Sequence, residues 1–105
     1  MTDKRLVLST AASDEEARVI ASALVEKRLA ACVNILGPIQ SLYRWKDAVE
    51  DSQEYLLLIK TTASMFPKLR DELKSLHSYE VPECISMDIE DGLPAYLEWI
   101  GESVK

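Results

Sequence analysis

The chain has only one histidine, two cysteines and three glycines among its 105 residues, and each scarcity removes a class of function. Three glycines leave no glycine-rich loop of the kind that cradles the phosphates of a nucleotide or a dinucleotide. The two cysteines, Cys32 and Cys84, form no C-x-x-C motif, which excludes zinc-ribbon and thioredoxin-type sites. Because an imidazole is the side chain that titrates near pH 7, any histidine chemistry must take place at His77.

Positive charge and long apolar runs are also scarce. Twelve basic residues against eighteen acidic ones give a net charge of −6, which repels phosphate backbones and argues against a nucleic-acid partner. No apolar run approaches the roughly eighteen residues that span a bilayer, and residues 1–5 lack the apolar core of a signal peptide. We therefore expect no membrane association and a cytoplasmic protein, in which Cys32 and Cys84 stay as free thiols.

The composition that remains is that of an ordinary folded domain, with 48% hydrophobic and 29% charged residues. A chain of this length is expected to form a single domain over residues 1–105 with one hydrophobic core.

Hydrophobic periodicity predicts the order β-α-β-β-α-β followed by a C-terminal helix. The first helix should begin within residues 11–14, which supply N-cap chemistry, and the second should begin at the N-cap residue Ser64. The third helix should carry Leu93, Leu97, Ile100 and Val104. A turn is expected at Asp47-Ala48. The strands are predicted at residues 6–10, at 32–36 and 39–45 on either side of a bend at Gly37-Pro38, at 54–61 and at 83–89. This order predicts an α+β fold of the ferredoxin-like type, with an antiparallel sheet and helices on one face.

The segment from Tyr55 to Ile59 is apolar at every position, so a strand there presents apolar groups to both faces of the sheet. The predicted helices cover one face of the sheet only. Apolar groups of this segment, together with Tyr43 and Trp45, remain on the other face and need a second element to cover them. A closed homo-oligomer would supply it, whereas a strand buried at the centre of one subunit is the alternative.

Five segments in this order and spacing resemble the CutA divalent-cation tolerance proteins across nearly the whole chain. They are residues 26–34, 41–46, 58–61, 77–83 and 96–100. The resemblance implies a ferredoxin-like subunit assembled as a homotrimer, with hairpin strands pairing between neighbours, and a link to tolerance of copper and other divalent metals. Trimers of this shape are similar to the PII signalling proteins, which bind small effectors in clefts between subunits, so an effector sensor or signalling scaffold is the alternative function.

A metal site is one expectation from these residues. The family's proposed copper ligands are a cysteine on the first strand and a pair of histidines, and here Ser9 and Leu76 stand at two of those positions, which leaves His77. We name His77, Cys32 and Glu80 as candidate ligands for Cu(II) or another divalent cation. No cofactor is required otherwise.

A small-molecule pocket between subunits is the other expectation. Its candidate residues combine aromatic walls with a cation and a carboxylate, and they are Tyr43, Trp45, Lys60, Tyr79 and Glu83. The same side chains could instead fill a subunit interface. No local motif pairs a nucleophile with His77, so we do not expect an enzyme.

Overall fold

The computed structural model describes residues 2–105, which form one four-stranded sheet and three helices. The elements are β1 (Lys4–Ala11), α1 (Asp14–Glu26), β2 (Cys32–Trp45), β3 (Ala48–Thr62), α2 (Phe66–Leu76), β4 (Ile85–Asp88) and α3 (Pro94–Ser103). The strand order is β2-β3-β1-β4, and every neighbouring pair is antiparallel. The predicted ferredoxin-like arrangement with an additional C-terminal helix is confirmed. Among the described residues, none of the helices combines the length and the apolar character needed to span a bilayer.

The two long helices begin in different ways. At α1 the N-cap is Ser13, within the predicted segment 11–14, and its hydroxyl accepts a hydrogen bond from the Glu16 N–H at 3.1 Å. At α2 the predicted cap Ser64 is wrong, because Met65 is the N-cap residue and no side chain caps the helix. The Met65 N–H donates instead to the Thr62 hydroxyl at 3.3 Å, and Pro67 in the first turn has no N–H to be capped.

β2 and β3 form a long hairpin whose turn lies one residue earlier than predicted. Lys46 and Asp47 both adopt positive φ values, 50° and 65°, as a two-residue turn that matches the twist of its strands requires. β3 therefore starts at Ala48, and residues 48–53, which are mostly polar and lie outside the strand predicted at 54–61, pair with β2. Backbone pairing alone makes this segment a strand, since its side chains are largely exposed to solvent.

The alternation along β1 and β3 separates a core face from an open face. The core face packs against α1 and α2 and carries Val7, Leu57 and Ile59, all fully buried. On the open face the strand register places Leu8 between Leu58 and Ile85, so apolar side chains form one continuous surface. This open face consists of the half-buried Leu6, Leu8, Leu56 and Leu58 and of the exposed Leu36, Ile85 and Met87. The expectation that residues 55–59 are apolar on both faces holds.

Gly37 lies at the irregularity in the pairing of β2 with β3, between Leu36 and Ile39. The ring of Tyr55 packs against the Gly37 backbone and leaves no room for a side chain there. A Cβ at this position would lie 2.9 Å from Cγ and Cε2 of the Tyr55 ring, and closer still to Cδ2. At Gly101 in α3 a Cβ would meet only the end of the flexible Lys4 side chain, at 3.3 Å.

We therefore expect Gly37→Ala to lower the free energy of unfolding by about 1–3 kcal/mol, because the ring of Tyr55 must move. Gly101→Ala is the matched control, and it should be neutral or stabilising by up to about 1 kcal/mol, since alanine favours helix over glycine. Urea unfolding of both variants measures the difference. Equal stability of the two would contradict the close approach of Tyr55 to the Gly37 backbone.

Candidate functional site

A cleft of ≈ 730 Å³ lies between the hairpin and the loop that follows α2. The hairpin supplies Tyr43, Trp45 and Glu54, the loop supplies Tyr79 and several residues of the 78–83 segment, and Thr10 comes from the end of β1. Glu54 follows Leu58 and Leu56 on the same side of β3, so the cleft opens at one end of the open face. Its volume is within the range of small-molecule sites in proteins.

Four of the five predicted pocket residues, Tyr43, Trp45, Tyr79 and Glu83, line this cleft together. The fifth, Lys60, does not. It pairs with Cys32 and Leu6 near the other end of the sheet, and its ammonium group donates to the side-chain oxygen of Asn34. Lys60 is therefore not part of this cleft, and its place in a pocket between subunits stays a prediction.

Glu54 is the buried carboxylate of the cleft, and it is among the lining residues that sequence reasoning missed. It is only 6% exposed, and its Oε2 accepts a hydrogen bond of 2.6 Å from the Tyr79 hydroxyl. Burial and this bond to Glu54 raise the pKa of Tyr79 well above its ordinary value of 10.0, so the phenol stays protonated and keeps donating. A glutamate just before an apolar strand was the available signal, but a charged residue at a strand end is usually solvated.

His77 holds the loop in place. Its side chain is fully buried; Nδ1 accepts from the Tyr79 N–H at 3.1 Å, and Nε2 lies 2.7 Å from the Thr10 carbonyl oxygen. Because an N–H can only donate and a carbonyl can only accept, Nε2 carries the hydrogen and Nδ1 does not. Both nitrogens are therefore engaged, and a metal could reach His77 only by breaking one of these bonds.

Glu16 at the start of α1 makes the second attachment of the loop. The Ser78 N–H donates to Glu16 Oε2 at 2.8 Å, and the Ala12 N–H donates to Oε1 at 3.2 Å. Burial alone would raise the pKa of Glu16, but the hydrogen bonds from Ser78 and Ala12 outweigh burial and lower the pKa from 4.5.

One chain does not bring the three candidate metal ligands together. Cys32 lies level with Leu6 across the sheet, whereas His77 contacts Thr10, about 13 Å further along β1 at about 3.3 Å per residue. Glu80 is exposed and lines the cleft. Within residues 2–105 no three histidine, cysteine, aspartate or glutamate side chains are grouped so as to hold a metal ion.

The architecture and the cleft define a ferredoxin-like protein with a ligand-sized site beside an open apolar sheet face. A family model described as CutA1 divalent ion tolerance protein matches residues 5–103. The chain therefore belongs to the CutA1 divalent ion tolerance family.

Individual relatives agree with this assignment. The divalent-cation tolerance protein CutA of Thermus thermophilus is 51% identical over 100 residues, which cover 95% of this chain and 97% of the relative. Its solved structure superposes with a TM-score of 0.95 at 50% identity, covering 97% and 99% of the two chains. Protein CutA of Homo sapiens is 46% identical over 91 residues, covering 87% of this chain but only 51% of the human protein. The chain thus spans about half the length of that relative.

The attachment at Glu16 predicts a specific dependence of stability on pH. Since the pKa of Glu16 is lowered in the folded state, its contribution is present above the unfolded-state value near 4.5 and is lost as the pH falls through the folded-state value. Glu16→Gln should therefore cost about 1–2 kcal/mol at pH 7, and the difference from the parent chain should shrink at pH 3.

Urea unfolding at the two pH values measures this difference, and Glu15→Gln, an exposed neighbour on the same helix, is the control. A Glu16→Gln penalty that stays constant between pH 7 and pH 3 would refute the role assigned to the carboxylate.

Proposed function

We propose that this chain is a homotrimeric, non-catalytic protein of the divalent-cation response and that it works by binding a small ligand in the cleft. The observation that carries the proposal is the cleft itself. It gathers Tyr43, Trp45, Tyr79 and Glu83 around a volume of ≈ 730 Å³. The family name concerns tolerance of divalent ions, which is a response and not a reaction.

The open face supports assembly. A continuous apolar surface of seven side chains on one face of a sheet is larger than isolated exposed residues would explain, and association would remove it from water. The outermost strand β2 also presents an unpaired edge along the hairpin, to which a strand of a neighbouring subunit could pair. A closed ring of subunits satisfies both requirements.

The position of the cleft supports a role that depends on assembly. Glu54 continues the line of Leu56 and Leu58 along β3, so the cleft and the open face share a border. In a trimer built on the open face, the cleft would lie at the boundary between subunits. A ligand there could report on, or alter, the contacts of the neighbouring subunit.

Direct binding of copper through His77 has less support. A soft metal site needs a thiolate or an available imidazole nitrogen, and both nitrogens of His77 are hydrogen-bonded. Burial raises the pKa of the Cys84 thiol, which keeps it protonated. Cu(II) or another divalent cation would more readily meet the oxygen ligands of the cleft.

We place the protein in the cytoplasm, where a reducing environment suits two free thiols. Relatives carry other locations in their names, chloroplastic for one from Arabidopsis thaliana and periplasmic for one from Archaeoglobus fulgidus.

The assembly is tested by placing a charge on the open face. Leu58→Glu should convert the trimer to monomers, because a carboxylate buried without a partner costs several kcal/mol. Val19→Glu, at an exposed position on α1, should leave the mass at three times 11.8 kDa. Leu57 is unsuitable, since it lies in the core and its replacement would unfold the subunit. Light scattering after gel filtration gives the masses, and a trimer in Leu58→Glu would refute the proposed interface.

The cleft is tested by a matched pair of tryptophan variants in a bacterium that lacks its own CutA. The parent chain should restore growth in raised copper, Trp45→Leu should fail, and Trp99→Leu should succeed. The two tryptophans are similarly exposed, but only Trp45 lines the cleft. Full rescue by Trp45→Leu, with the trimer intact, would show that the cleft is not needed.

A further inference from the structure

We propose that the ligand of the cleft is an organic cation, a small molecule that carries a protonated amine beside an apolar body. This inference rests on the proposed function, in that it takes the cleft to be the ligand site. It adds the chemical class of the ligand, which neither the family's description nor the relatives' names specify.

The charge of the cleft is the first argument. Three carboxylates line it, from Glu54, Glu80 and Glu83, whereas none of the described residues in its lining is a lysine or an arginine. In a partly enclosed site of low dielectric constant, like charges repel more strongly than in water. Nucleotides, phosphates and carboxylates are therefore disfavoured, and a cation is favoured.

Glu54 is the second and independent argument. A carboxylate on a residue that is only 6% exposed is normally paired with a cation, because the desolvation of an unpaired charge is costly. Among the described residues, Glu54 forms no ion pair, and its single side-chain hydrogen bond, from Tyr79, uses Oε2. Oε1 accepts no hydrogen bond from them, although the residue lines the cleft. A positively charged donor bound in the cleft would reach this oxygen and pair the carboxylate.

The aromatic walls fit an organic cation and not a bare metal ion. Tyr43, Trp45 and Tyr79 offer ring surfaces, to which alkylammonium groups are attracted by cation–π interaction. The Lys46 ammonium nitrogen lies 5.7 Å from the Trp45 ring centroid and already occupies one side of that ring, which leaves its other side and the rings of Tyr43 and Tyr79 for a ligand. A metal ion would need several converging oxygen ligands, and residues 2–105 hold no such group of three.

Three probes of similar size test which sign of ligand charge the cleft prefers. They are 2-phenylethylammonium, phenylacetate and 2-phenylethanol. Each is titrated into the trimer by isothermal calorimetry, with tryptophan fluorescence of the Trp99→Leu variant, which keeps Trp45, as a second readout. We expect 2-phenylethylammonium to bind at least tenfold more tightly than the neutral and anionic probes. Glu54→Gln should remove this preference, because the amide can still accept from Tyr79 but carries no charge. Glu102→Gln on α3 removes an exposed carboxylate outside the cleft and should leave the preference unchanged.

The possible failures are distinguishable. Tighter binding of phenylacetate, or equal binding of the three probes, would overturn the cationic assignment while leaving the cleft as a ligand site. Absence of binding by all three at millimolar concentration would overturn the ligand site as well. If Glu102→Gln loses the preference for the ammonium probe as fully as Glu54→Gln does, the probe is attracted only to the acidic surface, and the proposal is overturned.

Two further measurements make the outcome decisive. If Glu54→Gln does not fold, Glu83→Gln serves in its place, since Glu83 is exposed and lines the cleft. Mn²⁺ is titrated separately, with paramagnetic broadening of Tyr43 and Tyr79 as the readout. Mn²⁺ binding in the cleft without any preference for the ammonium probe would replace the organic cation with a metal ion.

Discussion

The two helices α1 and α2 pack against one face of the sheet and leave an apolar surface on the other, and further features of the molecule follow from that constraint. Leu57 and Ile59 point toward α1 and α2 and are fully buried, so this core forms within one chain. Leu56 and Leu58 alternate with them and point the other way. A strand that is apolar on both faces needs cover on both, and one chain supplies only half of it. The open face therefore lacks a covering layer within one chain. The long hairpin and the cleft both border this uncovered surface.

The loop after α2 shows how residue types that suggest chemistry can be structural. A lone histidine next to a tyrosine and two glutamates is a reasonable metal or acid–base candidate from sequence. In the structure His77 is buried with both nitrogens occupied, and its ring centroid lies 4.7 Å from that of Tyr79. Together with Glu16 it fixes a loop that has no strand or helix of its own. The histidine shapes the site without facing it.

Local patterns in the sequence were enough to predict the order of the elements and the start of α1, because periodicity and capping are properties of neighbouring residues. They were not enough for the hairpin, since Lys46-Asp47 is not the Asn-Gly or Asp-Gly pair that marks such a turn, and the polar strand beyond it lacks an apolar pattern. The same limit applies to the site. Glu54 and Lys60 lie on the same side of β3, but six residues separate them, which is about 20 Å along a strand. Their positions along β3 decide which of the two lines the cleft, and the sequence pattern does not show at which end of the strand the cleft lies.

The buried carboxylate of Glu54 connects the stability of the fold with its function. A glutamine in its place would accept the same hydrogen bond from Tyr79 without the cost of burying a charge, so the glutamate is not the most stable choice for this position. A cation that binds Oε1 recovers part of that cost, and by mass action it stabilises the folded state. Tyr79 transmits the effect, because its hydroxyl binds Glu54 while its N–H binds His77, which in turn binds Thr10 on β1. Since one residue belongs to both the cleft and the anchor of the loop, occupancy of the site and order of the loop are coupled.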